Sequence, residues 1–160
     1  MRSMKKYALV SVFLLAATTV LDANQEYWPQ WRGPNHNGSS QAVDLPTAWS
    51  LEKNIVWSKK LPSWSGGTPV IWGNRIFLTS PNSGEETQGG EKLLLGCLST
   101  VDGSVLWQRT LDEGNAYWRK HNNTSPSPVT NGEQVIAVAG TGMIRAYDMR
   151  GEELWHYSLQ

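Results

Sequence analysis

Gly103-Ser104-Val105-Leu106-Trp107-Gln108-Arg109-Thr110-Leu111 returns later in the chain as Gly151-Glu152-Glu153-Leu154-Trp155-His156-Tyr157-Ser158-Leu159. In both copies a glycine, an indole and a leucine stand four residues apart. The latter half of the pattern occurs once more, as Val56-Trp57 with Leu61, so that the tryptophans are separated by 50 and then 48 residues. A second register agrees: Pro69-Val70-x-x-Gly73-x-x-Ile76 matches Pro128-Val129-x-x-Gly132-x-x-Val135. Several elements recurring in one order at a period near 50 identify a repeated supersecondary unit.

Working outward, short apolar runs bounded by Gly, Asn, Asp and Pro fill the chain beyond residue 23, and helical periodicity is almost absent. The expected strands form two series of four. Thr68 to Trp72, Arg75 to Ser80, Leu93 to Leu98 and Val105 to Thr110 make the first; Ser127 to Thr130, Gln134 to Ala139, Met143 to Asp148 and Glu153 to Ser158 make the second. Gly73-Asn74, Asp102-Gly103, Asn131-Gly132 and Arg150-Gly151 tolerate the positive φ of tight reversals, so neighbouring strands are antiparallel. The polar, Gly-rich stretch from Pro81 to Lys92 reads as a longer surface loop where the second series has only Gly140-Thr141-Gly142.

Four strands per period of about 50 residues is the unit of a β-propeller blade, a small twisted sheet that cannot cover both its faces alone. The fold class is therefore all-β, a partial propeller of about two blades plus one outer strand. The expected boundaries are an extended leader over 24–54, a closing strand over 55–61, one blade over 66–111 and another over 123–159. In this reading Trp57, Trp107 and Trp155 are structural wedges between sheets, Gly103 and Gly151 release the hairpin turns, and Leu61, Leu111 and Leu159 are the apolar positions that follow.

Composition narrows the function. The 160 residues carry 14 basic and 14 acidic groups, which gives no electrostatic reason to expect nucleic acid as a partner. Cys97 is the sole cysteine, which excludes an internal disulfide, a Cys-rich zinc site and a CxxC redox pair. It is expected to be buried and structural. His36, His121 and His156 lack metal-ligand spacing, and no nucleophile elbow, phosphate loop or zinc-protease helix motif is present. Glu85, Glu86, Glu91, Asp112 and Glu113 read as solvated loop carboxylates with no assigned role. Trp28, Trp31, Arg32, Trp118 and Arg119 are candidates for a binding surface, although docking of the leader onto the blade edges explains the first three more simply.

Residues 1–23 read as an export signal: Arg2, Lys5 and Lys6 precede an uncharged apolar run from Tyr7 to Val20, and cleavage is expected after Ala23. The run is shorter than the roughly 18 to 20 residues of a spanning helix. No membrane span remains after cleavage, and a periplasmic or secreted location is expected. The sequons at Asn37, Asn122 and Asn123 are expected to be ordinary loop residues.

The repeat resembles the bacterial β-propellers built from pyrroloquinoline-quinone (PQQ)-like units, whose blades end in a segment like ALDAxTGxxLW. Here that segment is Cys97-Leu98-Ser99-Thr100-Val101-Asp102-Gly103-Ser104-Val105-Leu106-Trp107. Its second copy, Ala146-Tyr147-Asp148-Met149-Arg150-Gly151-Glu152-Glu153-Leu154-Trp155, is one residue shorter and keeps the Asp. Ser99 departs from that Asp, so the first turn is expected to be held differently. The leader Trp28-Pro29-Gln30-Trp31-Arg32-Gly33-Pro34-Asn35-His36-Asn37-Gly38 also looks like the start of secreted members of the group.

The resemblance implies rings of seven or eight blades, of which this chain is expected to be an amino-terminal fragment that self-associates through its uncovered faces. It further implies a non-catalytic scaffold of the cell envelope, similar to BamB-like outer-membrane protein assembly factors, with protein partners and no cofactor. Two alternatives stay open: a fragment of a PQQ-dependent quinoprotein dehydrogenase, which would hold PQQ with calcium at the ring centre, and a propeller that binds glycans through exposed tryptophans. The chain shows no adjacent cysteine pair of the kind many such dehydrogenases carry.

Overall fold

The computed structural model describes residues 27–82 and 92–160. Residues 1–23, expected as an export signal, and most of the polar insertion after Pro81 lie outside them. Ten strands form: β1 (Val70–Trp72), β2 (Arg75–Pro81), β3 (Lys92–Ser99), β4 (Val105–Glu113), β5 (Tyr117–Trp118), β6 (His121–Asn122), β7 (Val129–Thr130), β8 (Gln134–Val138), β9 (Met143–Asp148) and β10 (Glu153–Ser158). Two four-stranded antiparallel meanders, β1-β2-β3-β4 and β7-β8-β9-β10, flank the small β5-β6 hairpin. The all-β partial propeller read from the sequence is the observed architecture.

Alternation along each strand divides the first sheet into two faces. Val70, Phe77, Leu93, Leu95, Cys97, Trp107 and Leu111 join Val135, Ala137, Ala139 and Tyr147 of the second sheet in one buried cluster, with Trp72, Met143 and Met149 packed at its rim. Blade packs on blade through this core. Alanines stand on the second sheet where bulky side chains stand on the first, which lets twisted sheets approach closely.

The opposite face of the first sheet carries Leu78, Leu94, Gly96 and Leu98. Across it runs the segment 59–62, leaving a groove of about 380 Å³. Residues 55–61, expected as a closing strand, form no ladder with any described strand. An outer strand needs the edge of an inner neighbour, and among the described residues none is offered at that side. The stretch lies against the blade face instead.

In a four-stranded meander, the first and third reversals fall at one end of the sheet and the second at the other. Gly73, Gly103, Gly132 and Gly151, all at positive φ, therefore share one end of the stack. The blade connections around 62–68 and 114–128 share the other.

Candidate functional site

The glycine end is built from indoles seated on turns. Trp57 donates its Nε1–H to the carbonyl of Thr100 at 2.7 Å, and a Cβ on Gly103 would stand 2.5 Å from its ring. One repeat later Trp107 donates to the carbonyl of Met149 at 3.1 Å, and a Cβ on Gly151 would stand 2.7 Å from its ring. Two of the expected tryptophans are thus brought onto expected glycines: Trp57 and Trp107 each meet the turn glycine of the following repeat. Gly132 receives Trp72 of the inner strand in the same way, with a hypothetical Cβ only 2.2 Å from that ring. Leu111 is fully buried, whereas Leu61 lines the groove edge. Trp155 and Leu159 are 43% and 67% exposed.

A bulge aims the indole. Cys97 pairs with Trp107 and Leu98 with Val105, leaving Leu106 unopposed; Ala146 pairs with Trp155 and Tyr147 with Glu153, leaving Leu154 unopposed. The extra residue turns the strand by one position. Leu106 and Leu154 consequently point out, at 49% and 53% exposure, beside the indoles they precede.

The two C-terminal turns solve one problem with different atoms. Asp148 Oδ1 accepts from the N–H groups of Arg150 and Glu152 at 2.8 and 2.9 Å. In the first blade Ser99 Oγ accepts from Val101 N–H at 3.1 Å, and Asp102 Oδ1 takes the amide and hydroxyl of Ser104 at 3.0 and 2.7 Å. The missing Asp is replaced by a Ser and an Asp three residues apart. These bonds favour the ionised form and hold both carboxyls below the usual range, led by the Glu152 amide for Asp148 and by the Ser104 amide for Asp102.

Further bonds lock the blades near the outer strands. Arg109 Nε donates to Gly151 O at 2.7 Å, Arg145 Nε to Leu111 O at 2.6 Å, and Tyr147 OH to Thr110 O at 3.3 Å. Burial pushes the Tyr147 phenol up, and Glu153 is held low first by the hydrogen bond from His156 and then by Arg145. Cys97 is fully buried, and desolvation raises its thiol to about 12.

At the opposite end a polar knot joins the connections. Thr124 O accepts from Ser65 Oγ and Thr79 Oγ1, both at 2.7 Å, while Asn122 Nδ2 donates to Trp64 O and its Oδ1 accepts from Thr124. Asn122 and Asn123 are buried in this knot, with Asn123 Nδ2 donating to Gly114 O. Sequence reasoning saw them only as sequons. The β5-β6 hairpin rises from the knot and presents Trp118, half exposed and stacked on His121 with centroids 4.8 Å apart, beside exposed Arg119.

The leader crosses the inner edge of both blades. Trp28 and Ile71 exchange two backbone hydrogen bonds of 2.9 Å, and Thr130 N–H donates to Pro29 O at 2.9 Å. Trp28 is thereby docked, while Trp31 is 65% exposed with the Arg32 guanidinium 5.6 Å from its ring centroid.

This geometry has a counterpart among known families. A family model described as outer membrane protein assembly factor BamB matches residues 43–160. The chain belongs to that family. Both repeats and the preceding Trp57 fall inside the matched span, so the PQQ-like propeller unit is shared with these assembly factors. No curated protein matches the chain. Among the described residues no group of three or more His, Cys, Asp or Glu is placed to hold a metal ion, and no helix is long and apolar enough to cross a membrane.

Proposed function

We propose that the protein is a non-catalytic scaffold of the cell envelope that binds a protein partner, in the manner of the outer-membrane assembly factors of its family. The observation that carries this reading is the outermost strand. β10 is the outermost strand of its sheet, and its outer edge offers backbone groups that pair with no described strand. Such an edge suits addition of a partner's extended segment, with main-chain bonds giving affinity. A periplasmic location goes with this reading, because an assembly factor of the outer membrane works there.

The test is a photo-crosslinking residue at Tyr157 in the chain expressed in its own envelope, with the adducts identified by mass spectrometry. A component of outer-membrane protein assembly is the expected adduct. Recovery of none, together with a bound chromophore after addition of PQQ and calcium, would replace the scaffold by the quinoprotein alternative.

A further inference from the structure

Beneath the leader lies a cavity of about 680 Å³ whose lining includes Tyr27, Trp28, Asn35, Ser39, Gln41 and Ala42. Its volume falls in the range of small-ligand sites, roughly 300 to 1,000 Å³. Three features of the lining narrow the ligand.

No charged side chain is among the described lining residues, and these offer an ionic ligand no counter-charge for its lost hydration. Two aromatic rings are fixed in place before any ligand arrives. Trp28 packs on its own leader turn, where a Cβ on Gly33 would stand 2.7 Å from the indole, and Tyr27 lies against Trp72 with centroids 4.3 Å apart. Rings already immobilised lose little further freedom on binding. The third feature is a set of uncommitted polar groups. Ser40 Oγ is engaged by the Ala42 amide, whereas the side chains of Asn35, Ser39 and Gln41 have no hydrogen-bond partner among the described residues. They supply both donors and acceptors.

Flat apolar rings beside neutral amides and a hydroxyl complement a molecule with apolar C–H faces and a girdle of hydroxyls. We propose that this leader cavity binds an uncharged oligosaccharide, with its sugar rings on Tyr27 and Trp28 and its hydroxyls on Asn35, Ser39 and Gln41. A peptide would also leave polar main chain to satisfy, but the cavity presents no sheet edge to pair it, because Ile71 already exchanges both its backbone bonds with Trp28. The site is separate from β10, so the scaffold reading and this one stand or fall independently.

Titration calorimetry on the full chain with neutral cello-, malto- and chito-oligosaccharides, and with polygalacturonate as an anionic control, tests the proposal. Saturable binding of at least one neutral oligosaccharide and none of the anionic polymer is expected. Asn35→Ala combined with Gln41→Ala should weaken that binding about tenfold, the loss expected for two hydrogen bonds of ordinary strength. Ala42→Trp, which fills the cavity from a partly buried position outside the blades, should abolish it, with an unchanged circular dichroism spectrum reporting the intact fold. Absence of binding across the neutral panel, preference for the polyanion, or binding indifferent to Ala42→Trp would each overturn the assignment.

Discussion

Trp107 rests where Gly151 has no side chain, and its indole N–H reaches past that glycine to the carbonyl of Met149. One glycine therefore meets two requirements. Its φ of 86° closes the β9-β10 turn, and its missing Cβ leaves room for a ring from the neighbouring blade.

Gly151→Ala should consequently cost more than the left-handed backbone alone, which is about 1–2 kcal/mol for a residue bearing a Cβ, because the added methyl also displaces the indole. Trp107→Ala should cost on the order of 3 to 5 kcal/mol by emptying the inter-blade core. The two changes share one contact, so the double variant should be less destabilised than the sum. Urea denaturation of the four chains reads all three quantities; a Trp107→Ala chain with an unchanged midpoint would contradict the packing role.

The first-blade turn predicts an exchange of atoms. Asp102→Ala removes the acceptor for Ser104 and should lower the denaturation midpoint. Introduced into a Ser99→Asp background, the same change should matter less, since the new carboxylate can take the amide bonds that Asp148 takes in the second blade. Equal effects in both backgrounds would show that the two turns are not interchangeable.

Acid sensitivity follows from the same carboxyls. Asp102, Asp148 and Glu153 all have folded-state pKa values depressed below their ordinary ones. The stabilisation they contribute is present above the ordinary carboxylate range and is lost as pH falls through the depressed values. Asp148→Asn should lower stability at neutral pH and converge with the unaltered chain in acid, which flattens the acid limb of a stability profile. Thermal melts between pH 3 and pH 7, pH values chosen to span roughly that range, would reveal it; an acid limb of unaltered slope would assign the loss to other groups.

Cys97 should be inert in the folded chain. With the side chain fully buried and the thiol raised to about 12, the thiolate needed for reaction is scarce at pH 8. An aromatic disulfide reagent should label the chain only after urea is added, and rapid labelling of native protein would place the residue outside the core.

The sheets were legible because each strand carries its own alternation between turn residues, and the boundaries at Met143–Asp148 and Glu153–Ser158 could be read from local pattern alone. Contacts between blades were not. Trp57 meets a turn some 43 residues away and Trp107 one some 42 away, so repetition revealed both partners while nothing local joined them. Leu106 and Leu154 adjoin an indole, yet the bulge faces them outward. Tyr117–Trp118 and His121–Asn122 escaped notice because two-residue strands have no period to detect. The stretch 55–61 had the right composition for a strand, and composition does not supply an edge to pair with.

The indoles of Trp57 and Trp107 read a main-chain oxygen, and the residues that own those oxygens, Thr100 and Met149, have no chemistry in common. The hinge of one leaf on the next is therefore indifferent to the identity of its catch. A library randomised at position 100 should yield folded chains with almost any side chain, whereas one randomised at 103 and 151 should return glycine.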